Sequence, residues 1–447
     1  MKKILFLSHT GAVTGGAEQC LLEYVDVLIR NGYKCTVMVP YKGPMTENLA
    51  KKNIPSIVVG YGWATKPHRK VHPHRILAST GNSLVRIFQE VEKYKPDVII
   101  SNTTVIPWGM YAGRAFGIPN IVLVHEILNE KDPSLRMVPD YKRYGQILND
   151  NSDYIIFNSL FVKNEFDSSF ASPKLAEKIL YPLPPLDAEK IRQLYKKNEI
   201  KKNISIAIFG ALSPRKNQLE AVQAIKILSD QGKKFITLDL YGDTEADARY
   251  TKQLRKYIRD NGISDQVKIK GFTSEAYVRM NEYNAILSTA TYEPFGRTII
   301  EGQLFGRIVV TNNTGGGLEL VEDRRTGFVY TSGDHESLAS TLDWIISHAE
   351  ESIAMATAAK QIQLDKFFSS DRYEVLLDAV AYLQQHRAEY RNDNIFDPTL
   401  ALFQHNHQLN IKYKNIHRLT HNRFTYKIKG KVIAVKTHSK KMIKKII

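Results

Sequence analysis

At 447 residues the chain is long enough for two ordinary domains with full cores. Its 43% hydrophobic and 24% charged residues are those of a soluble globular protein, and no segment approaches the roughly 20 apolar residues that span a bilayer. The net charge of +16 is unevenly placed: residues 398–447 hold 12 Lys and Arg and no Asp or Glu, which leaves +4 for the other 397.

Met1-Lys-Lys followed by Ile4–Leu7 mimics a signal peptide, but Ser8-His9 ends the apolar run too early, so a cytoplasmic protein is expected. Residues 3–8 read as a strand, Thr10 to Gly16 as a glycine-rich loop, and the stretch from Ala17 as a helix. In that helix Leu21, Leu22, Val25, Leu28 and Ile29 recur at helical spacing before Asn31-Gly32. Cys20 and Cys35 have no metal or redox spacing and read as packed thiols. Strand-like runs follow at 34–39, 55–59, 97–101, 120–124 and 154–158. Pro182, Pro184 and Pro185 break the pattern ahead of a charged, helix-like linker at 187–202. The alternation restarts at 204–209 and continues with strands at 236–240, 267–270, 285–289 and 307–311. A helical pattern at 372–386 closes the globular part. Two αβ alternations with a Pro-rich junction predict two doubly wound, Rossmann-like domains whose ligands bind at the carboxyl ends of the strands, in a shared cleft. The expected boundaries are 1–183, a linker at 184–202, 203–362, closing helices at 363–387 and a basic tail at 388–447.

The most informative motif is Thr289-Ala-Thr-Tyr-Glu293-Pro-Phe-Gly-Arg-Thr-Ile-Ile-Glu301. Pro294 holds Glu293 out of helical geometry, whereas Arg297 to Phe305 reads as a short helix stopped at Gly306. The amides of Phe295, Gly296 and their neighbours then form an anion seat between two carboxylates. Carboxylates accept hydrogen bonds from sugar hydroxyls, so a nucleotide-sugar, a diphosphate between two sugars, fits the constellation. In Gly210-Ala-Leu-Ser-Pro-Arg-Lys-Asn217, Arg215 and Lys216 follow a strand and are placed to neutralise a diphosphate; a solvated surface pair is the alternative. Gly15-Gly16-Ala17-Glu18 lets backbone approach a ligand at a helix start but lacks the six-residue dinucleotide fingerprint. His125 follows the strand Ile121–Val124 at a position that faces the cleft; a structural hydrogen-bonding histidine is the alternative. Thr314-Gly-Gly-Gly317 before Glu319 has structural and binding readings of equal weight.

Taken in order, these motifs resemble the retaining, nucleotide-sugar-dependent glycosyltransferases of the GT-B fold, glycosyltransferase family 4, over about residues 1–387. The resemblance also includes Gly271-Phe-Thr273. It implies that Glu293 holds the donor sugar's hydroxyls and Glu301 the nucleotide ribose. Phe295, Gly296, Thr298 and Ile299 would offer backbone amides to the sugar and phosphates. Lys216 would neutralise the diphosphate, Thr273 would contact the base through its backbone, Gly16 would approach the phosphate from the other domain, and His125 would sit near the transferred sugar. One departure is Ala211, where the family usually has Arg; Arg215 is the candidate for the missing charge.

The implied reaction is transfer of a sugar to a lipid-linked or polysaccharide acceptor with retention. No Asp-x-Asp cluster stands at a strand end, so no metal or other cofactor is expected and the protein itself neutralises the phosphates. A non-catalytic scaffold on the same fold is one rival, favoured by Ala211 and opposed by Glu293, Glu301, Lys216 and His125. An epimerase or phosphorylase on this frame is another. In the tail, Lys440, Lys441, Lys444 and Lys445 fall on one helical face and Met442, Ile443, Ile446 and Ile447 on the other, the pattern of an interfacial segment docking on an anionic membrane; a solvated, disordered tail is the alternative. The basic stretch Lys66 to Arg75 is a candidate second docking element. No motif points to nucleic acid.

Overall fold

The computed structural model describes residues 2–13, 15–64, 73–128, 141–169, 177–184, 186, 188–200, 203–368 and 372–386. The tail and most of the stretch Lys66 to Arg75 lie outside them.

The first half alternates β1 (Lys3–Leu7), α1 (Gly16–Arg30), β2 (Lys34–Val39), α2 (Pro44–Lys51), β3 (Ser56–Val58), α3 (Pro73–Tyr94), β4 (Val98–Ser101), α4 (Trp108–Phe116), β5 (Asn120–Val124), α5 (Tyr141–Asn151), β6 (Tyr154–Phe157), α6 (Leu160–Ser169) and β7 (Glu177–Ile179). The second half continues with α7 (Ala188–Leu194), β8 (Ile204–Phe209), α8 (Gln218–Asp230), β9 (Ile236–Tyr241), α9 (Ala248–Asp260), β10 (Val267–Gly271), α10 (Ala276–Met280), β11 (Ala285–Ser288), α11 (Arg297–Leu304), β12 (Ile308–Asn312), a 3₁₀ turn at Gly316–Glu319, β13 (Phe328–Tyr330), α12 (His335–Ser347), α13 (Ala349–Phe367) and α14 (Glu374–Gln385).

The strands form two wholly parallel sheets, ordered β3-β2-β1-β4-β5-β6-β7 and β10-β9-β8-β11-β12-β13. Parallel strands covered by helices on both faces are continuous apolar runs. Ile4, Leu5, Phe6 and Leu7 are all fully buried, as are Ile206 and Ala207 in the second sheet. In each sheet the strand order reverses beside the first strand, between β1 and β4 and between β8 and β11, which opens a crevice at the carboxyl ends.

α14 does not stay with the second sheet. Its Leu376, Ala379, Val380 and Leu383 are buried in the cluster built on Ile4, Phe6, Val98 and Ile121 of the first. Tyr382 meets Tyr154 edge-on, ring centroids 6.3 Å apart, and Arg372 approaches Glu23 of α1 at 3.3 Å. The chain therefore crosses the cleft twice, and its last described helix completes the core of its first domain.

Candidate functional site

Lys216 and Glu293 reach the cleft from the loops after β8 and β11, adjacent strands at the second sheet's crevice. Lys216 Nζ lies 2.5 Å from Glu293 Oε2, with 22% and 17% of the two side chains exposed. Their loops are stitched by Thr291 N to Arg215 O at 3.0 Å and Thr289 Oγ1 to Lys216 O at 2.8 Å. Each charged residue adjoins a non-glycine residue with left-handed backbone, Asn217 at φ 47° and Tyr292 at φ 53°. Such backbone costs energy at a tyrosine and persists only where surrounding contacts enforce it. Burial alone would raise the Glu293 carboxyl, but Lys216 and Arg215 hold it below the usual range. Lys216 loses more to burial, and to Arg215, than one carboxylate returns, so its ammonium is pushed down. The carboxylate is the better compensated member, and the pair is a paired charge rather than a solvated one.

The turn after Glu293 is braced by the second glycine-rich loop. Gly316 N donates to Glu293 O at 2.7 Å, and a Cβ on Gly316 would stand 2.3 Å from Pro294 O. Thr314–Gly317 thus supports the motif from behind. Phe295 is buried against Tyr181, centroids 5.4 Å apart. Gly296, at φ +99°, starts α11, and among the described residues the amides of Phe295, Gly296 and Thr298 have no protein acceptor. The amide of Ile299 donates to Gly296 O at 2.9 Å, because the first turn of α11 tightens after the left-handed glycine. Ile299 contributes a fully buried side chain instead.

Glu301 sits one turn into α11, 6% exposed. Burial pushes its carboxyl up against the pull of Arg297 and Tyr277. Arg297 Nη2 is 3.4 Å from Glu301 Oε1, and Nη1 donates to Gly16 O at 3.2 Å across the cleft. Gly16 thus faces the motif from the other domain. Two more contacts join the domains here. Ser159 Oγ donates to Pro294 O at 2.6 Å, and the Glu319 carboxylate accepts from Leu160 N and Phe161 N at 3.0 and 2.6 Å, capping α6. Thr273 stands apart, in the loop after β10, where its Oγ1 accepts from Glu275 N at 3.1 Å. Ala211 is exposed.

On the first domain's side, His125 follows β5. Burial lowers its pKa to about 4, with the nearby His9 and Arg297 adding to the shift. His9, which the sequence offered only as the end of an apolar run, sits at the carboxyl end of β1 with Nε2 3.3 Å from Glu18 Oε1. Glu18 also accepts from Gly15 N at 2.9 Å. Burial works to raise Glu18, but His9 and these amides hold it down. Among the described residues His9 Nδ1, Asn102 Oδ1, Thr103 Oγ1, His125 Nε2 and Asn158 Oδ1 are buried without a partner, an unusual density of orphaned polar atoms. They stand at the carboxyl ends of β1, β4, β5 and β6.

Two family models divide the chain as the two sheets do. Glycosyltransferase Family 4 matches residues 14–177 and Glycosyl transferases group 1 matches residues 189–362. Crystal structures of HepE from Anabaena superpose on it. The complex with UDP is 25% identical at a TM-score of 0.69, over 86% of this chain and 100% of that one. The complex with UDP-glucose is 25% identical at 0.66, over 87% and 99%. The two halves of this chain are glycosyltransferase domains on a GT-B frame. Curated relatives match over a smaller share of the chain. A GDP-mannose-dependent alpha-(1-6)-phosphatidylinositol monomannoside mannosyltransferase of Mycobacterium tuberculosis is 21% identical over 50% of this chain and 60% of its own length. The amylovoran biosynthesis glycosyltransferase AmsK of Erwinia amylovora is 26% identical over 43% and 48%. The match thus spans about half to three fifths of these relatives' lengths.

Within the GT-B frame, Lys216, Arg215, Glu293, Phe295, Gly296, Thr298 and Glu301 converge on the second domain's crevice, and His125 and Gly16 face it from the first. Sequence reasoning missed Arg297 and the His9–Glu18 pair. A cation opening a helix at its positive end was the available signal for Arg297.

Proposed function

We propose that the protein transfers a sugar from a nucleotide-diphospho-sugar to a glycan or lipid-linked acceptor, with retention of anomeric configuration and without a metal ion. The observation that carries this reading is the Lys216–Glu293 pair beside the open amides of Phe295, Gly296 and Thr298. Opposite charges side by side suit a ligand with phosphate at one end and hydroxyls at the other. The UDP and UDP-glucose complexes of HepE support a nucleotide-sugar donor, and the names of the mannosyltransferase and AmsK support glycan or lipid acceptors. The donor's base would lie along Thr273, its ribose on Glu301 and its diphosphate between Lys216, Arg215 and Gly16.

In the proposed reaction the bond from the anomeric carbon to the leaving phosphate oxygen breaks, and its electron pair leaves with the nucleoside diphosphate. Lys216 and the amides stabilise that charge, the dominant electrostatic contribution in such steps. The acceptor oxygen bonds to the same face of the anomeric carbon, and its proton passes to the departing phosphate. Neutral His125 and the orphaned atoms of Asn102, Thr103 and Asn158 offer hydrogen bonds to acceptor or sugar hydroxyls. We further propose a cytoplasmic enzyme brought to an anionic membrane surface by residues 398–447; among the described residues no helix is long and apolar enough to cross a membrane.

The test is release of nucleoside diphosphate from a donor panel that includes UDP-glucose and GDP-mannose, with the product's anomeric configuration read by NMR. Glu293→Gln and Lys216→Met are each expected to lower transfer by about 100-fold or more while the protein stays folded. Near-normal turnover in both variants sinks the site assignment, and no release from any donor favours the scaffold reading.

A further inference from the structure

Arg297 has no role in the reaction as described so far, yet it touches Glu301, Tyr277, Gly16 and Cys20. It is the first residue of α11, and the carbonyl it reaches, Gly16 O, belongs to the first residue of α1. A guanidinium between the positive ends of two helices is opposed by both dipoles, and its i,i+4 pairing with Glu301 within α11 works against that cost. Its planar fork divides between two duties. Nη2 meets Glu301 Oε1 and Tyr277 OH, each at 3.4 Å. Nη1 meets Gly16 O at 3.2 Å and Cys20 Sγ at 3.9 Å. The side chains of Arg297 and Glu301 are 14% and 8% exposed, so the carboxylate's orientation is set by these contacts rather than by water. A Cβ on Gly16 would stand 3.1 Å from Arg297 Cδ, so a side chain there would crowd the arginine by a few tenths of an ångström.

We propose that Arg297 is a positioning residue that orients Glu301 toward the nucleotide ribose and ties that carboxylate to the Gly16 loop, so that ribose recognition in one domain depends on the backbone of the other. The inference rests on the donor-site reading above. Glu301 grips the ribose only if the fork holds it, and the fork is held by the glycine loop.

The experiment is calorimetric titration of the full chain with UDP and GDP and with their 2′,3′-dideoxy forms. The wild type is expected to prefer the ribose form of whichever nucleotide binds. Arg297→Met should reduce that preference by roughly tenfold, the worth of one charge-assisted hydrogen bond. Arg297→Lys, which keeps the charge without the fork, should restore part of it. Gly16→Ala, which touches no ribose, should also lower the ratio. The double variant Arg297→Met with Glu301→Gln should discriminate no worse than Glu301→Gln alone. An unchanged ribose preference in folded Arg297→Met, or additive losses in the double variant, overturns the proposal while leaving the donor site standing. If the wild type binds neither nucleotide, the donor-site reading falls and this inference with it.

Discussion

His125 shows what burial does at the scale of one residue. Its pKa of about 4 lies below that of an exposed imidazole, so at neutral pH it donates or accepts a hydrogen bond without carrying charge. The unfolded chain binds a proton near pH 6.5 that the folded one refuses until about pH 4. Stability should therefore be complete above pH 6.5 and fall as the pH drops toward 4. Replacing His125 with Asn should flatten that part of a melting-temperature profile; an unchanged slope would place the titrating group elsewhere. Lys216 and Glu293 were legible in the sequence because each stands in a short loop at the end of an apolar strand, where a charge has a reason to face a ligand. The contact between Arg297 and Gly16 was not, since it joins residues 281 positions apart and no local pattern announces it. The bond of the Ile299 amide to Gly296 O was not legible for a different reason. Whether an amide in a first helical turn stays open depends on how Gly296 bends the backbone.

At the scale of elements, α11 carries the donor motif and is seated by its glycine. A Cβ on Gly302 would meet Ile286 Cβ at 3.1 Å and Val309 Cγ2 at 3.2 Å, so the helix rests almost directly on β11 and β12. Gly302→Val should lift it, destabilise the protein by about 1–3 kcal/mol and weaken nucleotide binding together with stability. A variant that melts normally and binds normally would show that the helix has room to shift. The long buried strands were readable as apolar runs. β7 and β13, of three residues each, were not. Glu177-Lys178 carries no apolar signal at all, because β7 is an edge strand. The linker shows the opposite error. Its charged stretch suggests a helix over 187–202, yet α7 stops at Leu194, and Asn198 instead donates to Asn284 O at 2.9 Å, anchoring the chain to the second domain.

For the whole molecule, the closing helix and the tail make opposite predictions from neighbouring cuts. Ending the chain at residue 397 should leave the melting temperature unchanged and abolish binding to vesicles rich in anionic lipid. Ending it at residue 371 should strip Leu376, Ala379, Val380 and Leu383 from the first domain's core and yield protein that aggregates or melts far lower. Equal vesicle binding by full-length and 1–397 protein would remove the tail from any membrane role, and a well-folded 1–371 would show the helix to be dispensable. The same seat for α14 bears on how the chain is made. The first domain leaves the ribosome early, but its apolar seam has no cover until the far end of the second domain has been translated. At about 5–20 residues per second that interval is on the order of ten seconds or more, during which a nascent sheet must wait with part of its core exposed. Newly made chains of this protein should therefore lean on chaperones more than the stability of the finished fold suggests.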